Sequence, residues 1–149
     1  MALPDSIGLE AATNRISDSG VGNIAAGANE LYSTPVDNKT NLDNWCDIEI
    51  TGQPSVSPTA NTVLEVYLLY SLDDGTTYED GSGPTTTVDP IKNPIGVMQF
   101  RADTSSHKRV FDSVVLAPYK FKILLKSELD QAVNSVGIVL NTHKDEITD

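Results

Sequence analysis

Apolar and polar residues alternate with a period of two in several stretches of this chain, the pattern of strands with one buried face. In residues 44–51, NWCDIEIT, Cys46, Ile48 and Ile50 fall on one face while Trp45, Asp47 and Glu49 fall on the other. In residues 119–127, YKFKILLKS, Phe121, Ile123 and Leu125 alternate with Lys120, Lys122 and Leu124. The run TVLEVYLLYS at 62–71 is apolar on both faces except at Glu65, which predicts a strand in the middle of a sheet. Weaker extended patterns occupy residues 30–36, 97–102, 109–116 and 135–142.

Turn formers separate these runs. QPSVSPTAN at 53–61 carries two prolines, and in GPTTTVDPIKNPIG at 83–96 Pro84, Pro90 and Pro94 bar a regular ladder and predict a long connection. About eight strands with almost no helix predict an all-β fold, an antiparallel β-sandwich of jelly-roll or Greek-key type. Val66, Leu68, Ile123 and Leu125 are expected in its core.

Residues 1–28 break the pattern. They are rich in Ala, Gly, Ser and Asn, and their apolar residues Leu3, Ile7, Leu9, Ile16, Val21 and Ile24 are scattered without a period. Asp5 or Ser6 can cap a turn or two of helix over residues 5–17, and the glycines that follow would end it. The segment is expected to be an N-terminal arm, extended or partly disordered, attached to a sandwich domain at 29–149. Its six apolar residues have no partner surface within their own segment, so they are the expected contacts to a binding partner.

A length of 149 residues suits one domain with a sizeable core, so disulfides are not needed. Only Cys46 is present, which excludes an intrachain bridge, a zinc cluster of cysteines and a CxxC redox pair. Twenty-one acids against ten Lys and Arg give a net charge of −11, which repels phosphate backbones and anionic headgroups; neither nucleic acid nor membrane is an expected partner. Pro4, Asp5 and Glu10 stand where a secretory signal would carry a basic start and an apolar stretch, so retention in the compartment of synthesis is expected.

The acids of SLDDGTTYEDGSG at 71–83 are the first candidates for chemistry. A calcium loop needs glycine at its sixth position and glutamate at its twelfth, whereas counting from Asp73 places Gly75 third. The two Asp-Gly pairs, Asp74-Gly75 and Asp80-Gly81, instead supply positive-φ turn positions. His107 and His143 sit in polar company with no local partner, as solvated surface histidines would. Cys46 lies on the apolar face of its strand, as a small buried hydrophobe. No esterase elbow and no phosphate loop occurs, and Asn38-Lys39-Thr40 is a glycosylation triplet of the kind chance produces. No catalytic, cofactor-binding or metal site is expected. Trp45 with Tyr32, Tyr67, Tyr70, Tyr78 and Tyr119 supplies the aromatics of a sugar-binding platform, although packing in strands accounts for most of them.

The run VYLLYSLDDGTTYEDG, with Ser71, Asp73 or Asp74, Gly75, Tyr78, Asp80 and Gly81, resembles small structural proteins of tailed bacteriophages, in which a hydrophobic strand leads into Ser-x-Asp-Gly, a Tyr and a second Asp-Gly. The segment YKFKILLKSELDQAVNSVGIVLNTHKDE is similar in its strand, polar turn, Gln-Ala stretch and final strand. Together they cover about half of the chain; the doubled Asp73-Asp74 lengthens the turn, and the first 28 residues have no counterpart. The resemblance implies a capsid decoration, or cement, protein on a jelly-roll sandwich, made in the host bacterial cytoplasm and carried on the exterior of the virion. Its implied partners are the major capsid protein and neighbouring copies of itself, as a homo-oligomer or side by side on the lattice. The alternative within the same resemblance is a carbohydrate- or receptor-binding sandwich of a phage tail or head fibre.

Overall fold

The computed structural model describes residues 7–9, 12–27, 30–59 and 62–147. The strands among them are β1 (Ile7–Leu9), β2 (Thr13–Ile24), β3 (Glu30–Tyr32), β4 (Val36–Asp37), β5 (Trp45–Pro54), β6 (Val63–Ser71), β7 (Gly96–Gln99), β8 (His107–Val115), β9 (Lys120–Ser127), β10 (Val133–His143) and β11 (Asp145–Ile147). A single helical turn, α1 (Asn38–Asn41), interrupts them, capped by the Asp37 side chain on the Thr40 N–H.

One sheet has the order β2-β10-β5-β8; the other has the order β3-β9-β6-β7, with β4 continuing the β3 edge along β9. All pairings are antiparallel. If β3 and β4 are counted as one interrupted strand, the chain changes sheet at every connection from β2 to β10 except β6 to β7. That is the jelly-roll connection of a β-sandwich. β1 and β11 pair separately as a short ribbon.

The inward face of β5 carries Cys46, Ile48 and Ile50, opposed by Leu64, Val66 and Leu68 of β6 and by Phe121, Ile123 and Leu125 of β9, all buried in one cluster. Val133, Val136, Ile138 and Leu140 of β10 complete it, and Met98, Phe100, Leu116 and Leu129 close its margins. The four expected core residues are therefore where the alternation placed them.

β6 is interior to its sheet, as its two apolar faces predicted, and its outward face is also covered. Tyr67 and Leu69 of β6, Leu124 of β9 and Tyr78 form a second buried cluster beneath the long connection at 72–95. Prolines keep this connection out of the ladder, so it is available to fold back across the sheet.

Residues 13–24 are not an arm. They form β2, an edge strand paired with β10 from Thr13 opposite Thr142 to Ile24 opposite Val133. Nor is residue 13 onward helical: the unpaired edge of β10 supplies a ladder of hydrogen bonds that a short, glycine-interrupted helix cannot match. Ile16 and Ile24 are 2% and 1% exposed within this chain's own core. The sparse apolar pattern suffices because Ile16, Val21 and Ile24 anchor β2 on the core while its backbone ladder with β10 holds the rest. The register shifts in the β2–β10 pairing break any strict alternation besides.

Candidate functional site

The acids of the 71–83 turn face structural partners. Asp73 accepts hydrogen bonds from the Ser71 hydroxyl and the Thr77 N–H, both at 2.8 Å, and from the Thr77 hydroxyl. The Thr77 hydroxyl, then the Thr77 N–H, then Ser71 hold its carboxyl down at about 2. Asp74 and Gly75 have φ of 63° and 90°, the left-handed positions that the Asp-Gly pair predicted. The Asp74 carboxylate lies 3.2 Å from Lys120, Glu79 accepts from the Tyr70 N–H and from Lys92, and Asp80 accepts from the N–H and hydroxyl of Ser82. Four acids close in sequence thus point to four separate sets of partners. Among the described residues no group of three or more His, Cys, Asp or Glu is arranged to hold a metal ion.

Lys122 ties this turn to the sheet. The alternation placed it on a polar outward face; it is outward, yet fully buried, because the 72–95 connection covers it. Its ammonium donates to the Ser82 hydroxyl at 2.6 Å and to the Gly83 and Thr86 carbonyls at 2.9 and 2.8 Å. It also stands 4.7 Å from the Tyr78 ring centroid and 5.4 Å from that of Tyr32. Burial pushes its pKa below the usual lysine range, partly opposed by the charge of nearby Asp80. The function of this constellation is to hold a long connection in place.

Both histidines are built into the fold rather than solvated. His143 stacks on Trp45 with ring centroids 3.8 Å apart and has Nε2 2.9 Å from Asp47. His107 accepts from the Arg101 N–H through Nε2, and its Nδ1 lies 2.8 Å from the Ser105 carbonyl oxygen, bracing the 100–106 arch. The signal for His143 was spatial, since Asp47 is 96 positions away and reaches it only because β5 pairs with β10. His107 does have local partners, Ser105 and Arg101, contrary to the expectation. Asn38 is likewise occupied, its amide donating to the Asp43 and Ala117 carbonyls and accepting from the Asp43 N–H at 1% exposure. Burial leaves no room there for a glycan.

Cys46 is fully buried, and its thiol is pushed up to about 12, mainly by burial and then by the charges of Asp47 and Asp43. A thiol reagent at about pH 8 should therefore label it only as fast as the chain opens. The pH dependence follows from the sign of the shift. A thiol that titrates near 9 when unfolded and near 12 when folded contributes fully below pH 9, and that contribution is lost as pH rises from 9 to 12. Denaturant midpoints measured across this interval should fall less steeply for Cys46→Ala than for the wild type. Equal slopes, or fast labelling without denaturant, would show the thiol to be accessible.

The aromatics do not assemble into one platform. Tyr67 and Tyr78 are buried in the second cluster, with Tyr32 packed against it. Tyr70 packs against the main core and accepts from the Ala117 N–H, and one face of Trp45 is taken by His143. Tyr119, 42% exposed, meets Tyr70 edge to face.

The six N-terminal apolar residues are likewise dispersed. Ile16 and Ile24 are core residues and unavailable to a partner, and Val21 is half-buried against the same core. Ile7 and Leu9 lie in β1, opposite Ile147 and Asp145 of β11, whereas Leu3 falls outside the described residues.

Four of the exposed apolar side chains, Leu42, Leu72, Val115 and Tyr119, lie instead at the end of the sandwich where β10 leads into β11. Leu72 and Tyr119 flank the last β6–β9 pair, Ser71 with Lys120. Val115 pairs with Trp45, which also pairs with His143, and Leu42 lies in the turn that enters β5, where Asn44 bonds to both His143 and Leu116. Leu72 and Val115 are each 78% exposed and Leu42 is 52% exposed. Exposed apolar residues are ordinary singly, but several at one end mark a candidate interaction surface. The sequence concealed it, since Leu42, Leu72 and Tyr119 lie in three different connections and Val115 ends β8.

No protein-family model matches the chain, and no curated protein matches it. Among solved structures the chain is similar to the crystal structure of the CBM36-1 domain of a multidomain xylanase from the hindgut metagenome of Trinervitermes trinervoides, over 93% of this chain and 91% of that one, at 8% sequence identity and a TM-score of 0.48.

Proposed function

We propose that this protein is a non-enzymatic structural component of a phage virion, which binds the outer surface of the capsid and stabilises contacts between coat subunits. The observation that carries the reading is the end of the sandwich bearing Leu42, Leu72, Val115 and Tyr119 beside the β1–β11 ribbon. An apolar end beside a short two-stranded ribbon suits insertion at a seam between subunits. Many copies on one lattice turn a weak single contact into a firm shell, because each bound copy holds its neighbours' sites at high effective concentration. The phage-like strand-and-turn motif at 66–81 supports the same reading from the sequence side. The fold alone is neutral on the matter, since sandwiches serve many functions.

The test is cosedimentation with purified, expanded phage capsids that lack an outer decoration. The wild-type chain should pellet with them to saturation. Leu72→Asp combined with Val115→Asp should weaken binding about tenfold or more while leaving the melting temperature in place, because both side chains already face solvent. If the wild type pellets with no capsid, the proposal falls. Retention on immobilised saccharides in that case would favour the sugar- or receptor-binding alternative.

A further inference from the structure

Beyond the apolar end lies a second feature, a basic cleft at the far end of the sandwich. Most cations of this acidic chain are neutralised locally. Arg15 is paired with Asp43, Lys39 and Lys120 with Asp74, Lys92 with Glu79, Lys108 with Glu49, and Lys126 with Asp89 and Glu128. Among the described residues Arg101 and Arg109 have no ion pair within 4 Å, and both line the same cleft of about 580 Å³ between β7 and β8. A chain of net charge −11 has abundant acid to place against these two guanidiniums, yet even Asp103, which feels the Arg101 charge, forms no ion pair with it.

The cleft is braced from below and behind. Arg109 stands 5.6 Å from the Phe111 ring, and Phe111 packs so closely on Gly96 that an added Cβ there would lie 2.4 Å from it. Arg101 opens the arch that His107 holds through the Arg101 N–H. Within the arch Asp103, its side chain 44% exposed, accepts from the hydroxyl and N–H of Ser105, which hold its carboxyl below the usual range with a smaller contribution from the Arg101 charge. Both walls are edge strands: β7 pairs only with β6, and β8 only with β5. An entering extended chain therefore meets unpaired backbone groups on both sides and two unpaired guanidiniums suited to bidentate carboxylate recognition.

We propose that the cleft between β7 and β8 binds an extended acidic segment of a partner protein, with its carboxylates held by Arg101 and Arg109. This site lies at the opposite end from the apolar surface and holds whether or not that surface meets a capsid.

The full chain is titrated into a fluorescein-labelled peptide of alternating Glu and Thr at low salt, with anisotropy as the readout. Saturable binding is expected. Arg101→Gln combined with Arg109→Gln should weaken it about tenfold or more, whereas Lys39→Gln, distant from the cleft, should not change it. Circular dichroism melts verify that the double variant remains folded. Equal affinity of double variant and wild type, equal binding of a Lys-Thr peptide, or no binding by the wild type would each overturn the proposal. Displacement by inorganic sulfate at a concentration no higher than that of the peptide would overturn it in favour of a small oxyanion site.

Discussion

Deleting residues 1–28 should abolish cooperative folding. Read from sequence alone, this segment is an arm whose loss a sandwich would survive, but β2 runs along β10 and buries Ile16 and Ile24 between the sheets. Each large-to-small loss at such a site costs about 2–5 kcal/mol. Removing both side chains, and with them the ladder along β10, is comparable to the whole stability of a domain of this size, about 5–15 kcal/mol. The deletion also exposes the long backbone edge of β10, whose unpaired N–H and C=O groups are a template for pairing between chains. The truncated protein should be aggregated or should unfold without a sharp urea transition. Ile24→Ala in the full chain gives the graded form, a lower midpoint with the fold retained. A soluble truncation with the wild-type midpoint would show that β2 adds nothing.

The second large effect is expected at Lys122. Lys122→Met keeps most of the buried stem and removes the ammonium, leaving the Gly83 and Thr86 carbonyls and the Ser82 hydroxyl without their donor and Asp80 without its nearby cation. Uncompensated buried polar groups of this number should cost about 3 kcal/mol or more. The change has a local signature, because the three bonds pin residues 82–86 over Tyr67, Leu69 and Leu124. Limited proteolysis should cut the variant within residues 72–95 before the rest of the chain opens. If that connection stays as resistant as in the wild type and the midpoint does not move, the pin is unimportant.

The strands legible in the sequence are those whose environment repeats along their length. β5 packs one face on the core throughout, so Cys46, Ile48 and Ile50 show the period of two. β6 has cover on both faces and is apolar on both. β2 was illegible because its pairing with β10 shifts register three times, so Ile16, Val21 and Ile24 meet the core at no constant spacing. The burial of Lys122 was illegible for another reason: alternation correctly reports which face a side chain takes, not what later covers that face.

The candidate surfaces were less legible than the strands. Leu42, Leu72 and Tyr119 lie in three connections and Val115 at the end of β8, and Arg101 and Arg109 flank an arch, so neither group forms a motif along the chain. The Asp-Gly turns were readable because positive φ is a local demand, met by local residue types.

The sequence by itself determined the all-β class, the central strands, the turn positions and the inward face of β5, β6 and β9, because these follow from side-chain period and from backbone restrictions acting within a few residues. Only the tertiary structure decided that residues 13–24 belong to the sandwich, that the 72–95 connection buries Lys122, and that Trp45 and His143 stack. Each of these depends on contacts between residues far apart in the chain, and the free energy of burying or pairing them exists only once both sheets have formed.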